Sequence, residues 1–577
     1  MIVHVLAVDY DGTIADHGRV SDTTAAALMR VRESGRRVLL VTGRLLPDLR
    51  EVCPRVDELF DAVVVENGAV LYLPDRREVK LLADAPEPAL VDALERRHVP
   101  FDLGSVIVGT AAAFAEPALA AIREAGVERT LVFNKGSLML LPGGVTKGTG
   151  LDAALDTLRL SRHNTVAIGD AENDHALLAV AEFAIAVEDA VPALRDRADH
   201  VTPEPGPRGV VRFIELHLLD DLAALVPRVT RHDLPIGEDG DGNPVRVPAH
   251  RTRLLVVGPS ESGKSTLTGA LVERLVDAGR SFCLIDPEGD YQMLTELSGV
   301  VVLGGKADSV LPTADELDQL LRRPRSGLVL NLSTLRLADK VEYAAKTLAA
   351  VGAARNAGGM PHWLIIDEAH HVFPRDGSPA TELVHRDPAP LCLITLDVDK
   401  LAREMTLVPN VVTSTDLPAF DRALAGLANA RRDLPPLPRI SGEPLGQGEA
   451  AIAWLDGSGT AATRFRVTRP RIEHRRHAKK YTEGELPPDR SFYFRGEQGT
   501  LNLRAVNLVR FCELAEGVDE ATFTYHLRRG DYSRWLREEI KDPELADEID
   551  SIAAALDVAP AETRRRALGA IRRRYAV

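Results

Sequence analysis

Two short motifs constrain this chain more than any other feature: DYDGT at residues 9–13 and GPSESGKST at residues 258–266. Each follows a β-branched or apolar run of strand length, Val3 to Val8 before the first and Leu254 to Val257 before the second. Loops that carry charge at the end of a buried strand belong to parallel sheets, whose active-site loops gather at the C-terminal strand ends. A second sheet is read from the hairpin signal at Asp233 to Val247, ahead of the second motif. A length of 577 residues accommodates both sheets, because about 100 to 200 residues per domain gives roughly three to five domains.

The pattern around each motif is consistent with an α/β chain. A helical period at Thr23 to Glu33 and an apolar stretch at Val38 to Thr42 follow the first motif, and strand signals resume at Thr165 to Gly169, Ala184 to Val187 and His200 to Thr202. Residues 70–142 carry strand and helix signals of their own and are expected to cap the first sheet. TPEPGPRG at 202–209 reads as a linker, and Val210 to Leu225 as one amphipathic helix that completes residues 1–222. A hairpin around GEDGDGNP opens a second domain over 233–463. Its strands are predicted near Leu254, Phe282, Val300, Leu328, Trp363, Leu391 and Val411.

In the first domain, Asp9 and Asp11 lie two apart at a strand end, and Gly12 permits the turn that presents both. GDAEND places Asp170 and Asp174 after a later strand, which supplies the hard oxygen ligands that Mg²⁺ prefers. Thr42 in VTGR can bond a phosphate oxygen, and Lys147 in GGVTKGTG can neutralise charge beside a nucleophilic carboxylate. In this order the four segments resemble the haloacid dehalogenase (HAD) superfamily over about residues 1–222. VVVENGAVLY and VTKGTGL resemble its Cof-type branch, which includes phosphoglycolate and sugar-phosphate phosphatases. The resemblance implies Asp9 as nucleophile, Asp11 as general acid/base, and Thr42 and Lys147 as phosphate holders, with Asn173 assisting. It also implies Mg²⁺ on Asp9, the Asp11 carbonyl and Asp170, supported by Asp174. Lys135 and Arg129 in the cap are candidate anion binders, with a solvated surface charge as the alternative for each.

The second motif fits a phosphate-binding loop at full length, from Gly258 through Ser262, Gly263, Lys264, Ser265 and Thr266. Backbone N–H groups and the helix N-terminus cradle phosphates, Lys264 reaches the β and γ phosphates, and Ser265 holds Mg²⁺. LIIDEAHH supplies Asp367 for the metal shell and Glu368 to polarise water. With LIDPEGDY and LVLNLSTL, these segments resemble the HerA-like branch of the HerA and FtsK ATPases over about 233–440. That family usually ends the next strand in Thr-Gln, whereas LITLDVDKLA has Leu396 there, which cannot make the glutamine's hydrogen bond. The resemblance therefore implies ATP binding and hydrolysis, with DNA movement left without its sensor. His370 and His371 are read as surface or packing residues rather than metal ligands. Arg355, Arg375 and Arg403 are arginine-finger candidates if subunits assemble.

Residues 464–577 begin with a basic stretch, 464–480, followed by Tyr481, Phe492, Tyr493 and Phe494, and continue as helices with Trp535 in a core. A solvated linker is the expected role of the basic stretch, and base stacking is the alternative. A net charge of -15 offers nucleic acid or an anionic membrane no global attraction. Four dispersed cysteines without a CxxC pair suit a reducing compartment. No apolar run reaches the ~18 residues of a membrane helix, so the chain is expected to be cytoplasmic. The fold class expected is multidomain α/β, with a capped HAD Rossmann-like domain, a RecA-like P-loop ATPase domain and a helical C-terminal region. The function expected is a Mg²⁺-dependent phosphatase for a small phosphorylated metabolite, regulated or assembled by ATP. The alternatives are nucleic-acid end processing, as in polynucleotide kinase phosphatases or a HerA-like motor, and a nucleotide-gated scaffold.

Overall fold

In a computed structural model, every residue is described except 1, 135, 261, 306–308, 379, 386, 388, 432–433, 435–439, 441–442, 456–461, 473–480, 483–484, 487, 497–498, 500, 541, 556–558 and 576–577. The first motif sits at the end of β1 (Val5–Val8), in an eight-stranded sheet with β2 (Arg37–Val41), β3 (Ala62–Val65), β4 (Val70–Leu73) and β5 (Glu78–Leu81) on one side. On the other side, past an insertion holding β6 (Asp102–Leu103), β7 (Val108–Ala111), β8 (Arg129–Asn134) and β9 (Ser137–Pro142), come β10 (Thr165–Gly169), β11 (Phe183–Ala186) and β12 (His200–Val201). The order is β12-β11-β10-β1-β2-β3-β4-β5, parallel from β12 to β3. Strands buried on both faces read as continuous apolar runs, which is why VLAV, RVLLV and TVAIG were legible.

Two boundaries differ from expectation. Residues 70–81 form β4 and β5 at the edge of the first sheet, so the cap holds only the four-stranded sheet β6-β7-β9-β8 with helices Pro88–Arg96 and Ala115–Ala125. The helix expected over 210–225 runs Gly206–Leu216 and stops at His217. Asp221 and Leu222 then take positive φ, and the Asp221 carboxylate accepts the Val3 N–H and pairs with Arg36, which folds the chain back onto the first strand.

The second motif sits at the end of β15 (Arg253–Val257) in an eleven-stranded sheet. The hairpin β13 (Leu234–Asp239) and β14 (Pro244–Val247) precedes it. After it come β16 (Phe282–Asp286), β17 (Val300–Gly304), β18 (Gly327–Asn331), β19 (Trp363–Ile366), β20 (Leu391–Thr395), β21 (Val411–Ser414), β22 (Glu449–Trp454) and β23 (Thr463–Val467). The order is β14-β13-β23-β22-β21-β15-β20-β19-β16-β18-β17, parallel from β21 to β17.

β22 and β23 were not expected. EAAIAW is alanine-rich and carries a weak strand signal. In TRFRV the alternation was masked by charge: Phe465 is buried, while Arg464 and Arg466 flank it as strand residues rather than the start of a linker. Glu473, Arg475, Arg476, Lys479 and Lys480 lie outside the described residues.

The C-terminal helices pack on a small sheet, β24 (Phe492–Phe494) with β25 (Leu503–Ala505). Phe492, Phe494, Phe511, Tyr532 and Trp535 form its aromatic core, with Phe511 and Trp535 stacked at 4.9 Å. Tyr481, Phe492 and Phe494 are therefore core residues unable to stack on bases, and Tyr493 is half-buried with the Arg495 guanidinium over its ring. The four cysteines are free and buried. No helix among the described residues is long and apolar enough to cross a membrane.

The two large sheets meet at the N-terminal ends of their strands. His163 and Asn164, just before β10, bond the Ala278 carbonyl and His362, which precede β16 and β19. At the centre lies the buried Glu182 carboxylate, which contacts His163 and His250 at 2.6 Å and Arg280 at 2.5 Å. Burial alone would raise its pKa, but Arg280, His250 and His163 outweigh that and hold it well below the ordinary range. Burial also holds His250 down to about 4.

Both shifts make the joint acid-sensitive. The Glu182 contribution is present above the ordinary carboxylate pKa and lost as pH falls through the depressed value, and a buried neutral histidine costs stability as pH drops below about 6.5. Glu182→Gln leaves Arg280 without its counter-charge, so we expect it to cost about 3–5 kcal/mol. Calorimetry should show a lower melting temperature or two separated transitions, and an unchanged single transition would contradict this reading.

Candidate active site

Three strand ends converge at the first site. Asp9 follows β1, Thr42 follows β2 and Asp170 follows β10, and all three are buried. Lys147 comes from the helix Lys147–Leu158, whose N-terminus Thr146 and Thr149 cap reciprocally. Its Nζ lies 2.5 Å from Asp9 Oδ1 and 2.6 Å from Asp174 Oδ1. Asp174 Oδ2 accepts the Asp170 and Ala171 N–H groups, so one carboxylate orients both the lysine and the Asp170 loop. The Thr13 hydroxyl donates to Asp170, and Asn173 donates to Asn67.

The charge balance of this pocket is uneven. Oxygen atoms of Asp9, Asp170 and Asp174 lie within 4.8 Å of one another, with Lys147 as the cation hydrogen-bonded among them. Burial and the Asp174 and Asp170 charges push Asp9 well above the usual carboxylate range, against the pull of Lys147. Burial alone would lower Lys147, but Asp174 and Asp9 outweigh it and raise its pKa. A buried oxygen-only donor set with excess negative charge fits a hard divalent cation such as Mg²⁺. Asp11 stands apart from this set: its carboxylate makes two 2.7 Å bonds to Arg44, whose guanidinium also lies over the Tyr10 ring. Arg44 was missed in the sequence, although it closes the VTGR segment.

The cap lies over this centre. β8 packs on the turn Glu172–Asp174, and Met139 of β9 reaches the Thr42 loop at Gly43. Arg129, expected to bind an anion or face solvent, does neither: its side chain is 1% exposed and bonded to Glu87, Val106 and Ala85 inside the cap. Lys135 lies outside the described residues.

A second missed residue is Glu66, buried in a left-handed turn whose Gly68 (φ 107°) packs against the Thr146 carbonyl, where a Cβ would come within 1.9 Å. The Glu66 carboxylate accepts the N–H groups of Ser105, Val106 and Ile107, tying the cap to the sheet. Glu66→Ala leaves three donors unpaired at this tie, and at about 1–3 kcal/mol per buried orphan it should destabilise the protein clearly and raise KM. Chemical denaturation and steady-state kinetics test this, and wild-type values in both would contradict it.

At the second motif, Lys264 opens the helix Lys264–Asp277 after Gly263, whose φ of 103° suits glycine. The Lys264 ammonium folds back onto the Gly258 and Pro259 carbonyls, and Ser262 Oγ accepts from Thr415. The Ser265 hydroxyl is buried without a hydrogen-bond partner. Thr266 follows in the first turn of the same helix. Asp367 is buried just after β19, and Glu368 takes a left-handed backbone (φ 43°) that turns the chain into the short helix Ala369–Val372. His370 is half-buried beside Glu368 rather than on the open surface. Arg355 cannot serve as a finger: it is 2% exposed and bonded to Asp387, Pro361, His362 and Pro390. Arg375 and Arg403 remain exposed.

Both motifs lie at C-terminal strand ends, while the sheets meet at N-terminal ends, so the sites face away from each other.

A model of the haloacid dehalogenase-like hydrolase family matches residues 6–103 and 110–214. The phosphoglycolate phosphatase of Methanothermobacter thermautotrophicus is 33% identical over 221 residues, covering 37% of this chain and 97% of that protein. That of Haloarcula marismortui is 32% identical over 207 residues, covering 34% and 89%. A solved haloacid dehalogenase-like hydrolase from Bacteroides thetaiotaomicron is 19% identical with a TM-score of 0.34, covering 37% of this chain and 98% of its own. The chain belongs to the haloacid dehalogenase-like hydrolase family. Within that family its N-terminal part is an enzyme of the phosphatase type.

Proposed function

We propose that residues 1–222 hydrolyse a small phosphorylated metabolite through an aspartyl-phosphate on Asp9. The observation that carries this reading is Lys147 held between Asp9 and Asp174 beneath a cap. Asp9 attacks phosphorus, the bond to the leaving oxygen breaks, and Asp11 protonates that oxygen. Asp11 then takes a proton from the water that attacks the phosphoryl group and frees Asp9. Thr42 and Lys147 hold the phosphoryl oxygens, and Asn173 assists. Asp9, Asp170 and the Asp11 carbonyl would hold Mg²⁺, with Asp174 in support, and when bound the ion offsets the charge of the phosphoryl group.

The relatives named phosphoglycolate phosphatase favour a small phosphorylated carboxylate as substrate. The cap disfavours a polymer, as do the buried aromatics of the C-terminal core.

The same proposal assigns ATP binding and hydrolysis to the second sheet, residues 233–467 once the expected boundary at 463 is moved past β23, read as a RecA-like P-loop ATPase of HerA-like type, with the residues after β23 as an accessory region. Gly258, Ser262, Gly263, Lys264 and Thr266 would cradle the phosphates. Ser265 and Asp367 would hold Mg²⁺, and the orphaned Ser265 hydroxyl supports a missing ligand there. Glu368 would polarise water. ATP then regulates or assembles the phosphatase, with homo-oligomers through this region, and phosphate does not pass between outward-facing sites. A panel of 2-phosphoglycolate, sugar phosphates and 3′-phosphorylated oligonucleotides, each with and without ATP, tests the assignment. Release from a small monoester, altered by ATP, is expected. Preference for the oligonucleotide would favour end processing instead.

A further inference from the structure

We propose that His370 is a positioning residue of the nucleotide site, orienting Glu368 and linking it to strand β20 in the role left open by Leu396. This rests on the ATP reading above. β20 lies between β15, which carries the phosphate loop, and β19, which carries the acids, so its C-terminal end is where nucleotide state would be felt. His370 Nδ1 lies 3.2 Å from Thr395 Oγ1, the last residue of β20, and 3.4 Å from Glu368 Oε2.

The hydrogen positions follow from the partners. Thr395 has one hydroxyl hydrogen, which it donates to the Asp397 carbonyl. The contact with His370 is then an Nδ1–H donated to Thr395, with Glu368 Oε2 3.4 Å away, close beside the ring. A neutral imidazole offers one donor and one acceptor, so it can replace one N–H and one acceptor contact of a glutamine amide, which carries two N–H donors and a carbonyl oxygen. Burial, with His371 and Lys400 nearby, holds His370 down to about 4 against the pull of Glu288.

The link continues past the histidine. Directly after its short helix, Pro374 bridges Leu401, and the Ala402 N–H donates to the Phe373 carbonyl. The acid-bearing turn and the segment after β20 are thus tied at two points, one at His370 and one at Pro374 and Phe373. A change in Glu368 when the γ-phosphate leaves would reach residues 396–402 without any side-chain contact from Leu396.

The test uses the full chain and its His370→Ala and His370→Asn variants, with Lys264→Ala as the binding control. Asparagine places an amide N–H near the position of Nδ1. Binding of a fluorescent methylanthraniloyl-ATP and steady-state ATP turnover are measured, with phosphatase activity as the check on folding. His370→Ala should keep nucleotide affinity and KM within about twofold while kcat falls about tenfold, the scale of one hydrogen bond. His370→Asn should recover kcat to within about threefold.

Unchanged kcat in His370→Ala overturns the inference and leaves the ATP reading standing. So does a loss of affinity matching the loss of kcat, or an Asn variant as impaired as Ala. Wild-type protein that binds no more nucleotide than Lys264→Ala overturns the ATP reading itself. If the alanine variant loses phosphatase activity as well, the asparagine variant decides: full phosphatase activity with near-wild-type ATP turnover supports the link, and full phosphatase activity with lost turnover refutes it.

Discussion

Asp9→Asn is expected to lower phosphate release by about 10⁴-fold or more, because an amide cannot form the covalent intermediate. The same substitution should not unfold the protein. In the metal-free pocket, burial and two neighbouring carboxylates push Asp9 above its ordinary pKa, so its ionised form costs folding free energy at neutral pH. An uncharged isostere removes that cost, and Lys147 keeps Asp174 as a partner. Melting temperatures measured without Mg²⁺ should therefore be equal or higher in Asp9→Asn. Loss of activity with retained stability identifies a chemical role, whereas loss of both would mean that Asp9 is structural.

The second large effect is expected at Lys264. Lys264→Ala should weaken ATP binding by at least about a hundredfold, since a buried cation contacting phosphates contributes several charge-assisted hydrogen bonds. Glu368→Gln should keep affinity and lose turnover. Neither should abolish phosphate release from a small monoester assayed without ATP, because the two phosphate sites are built on separate sheets. Titration with fluorescent ATP and a phosphate-release assay on the same preparations check this. If Lys264→Ala abolished phosphatase activity in the absence of ATP while the fold remained intact, the separation of the two centres would be contradicted.

The groups proposed to carry chemistry were largely legible, because each sits where an apolar run ends. VLAV, TVAIG, RLLVV and WLII are buried strands that read as such, and Asp9, Asp170, Lys264 and Asp367 follow from their ends. What surrounds these groups was not legible. Arg44 holds Asp11 across 33 positions, and Glu66 holds residues 105–107 across about 40, contacts that no local period reports.

The joint between the sheets is the clearest case. His163, Glu182, His250 and Arg280 each look like an isolated polar residue, and only folding brings them within hydrogen-bonding distance. Charge misled in the opposite direction. Arg129 and Arg355 read as free cations, yet both are buried and fully engaged, and Arg464 and Arg466 hid a strand. The helix predicted to Leu225 failed because an amphipathic period does not register a backbone that turns left-handed at Asp221 to satisfy the first strand.

The most direct test of the Asp9 assignment is to trap the intermediate. Asp11→Asn should slow both steps, but a monoester whose leaving group needs no protonation, such as p-nitrophenyl phosphate, passes the first and is held at the second, in which water must be deprotonated. This variant is mixed with that monoester in Mg²⁺, quenched in acid and digested for mass spectrometry. The expected result is a phosphoryl adduct on the peptide containing Asp9, absent when Mg²⁺ is chelated and absent when Asp9 is also replaced by asparagine. Turnover of the monoester by the wild-type protein with no adduct at Asp9, or an adduct on another residue, would contradict the assignment.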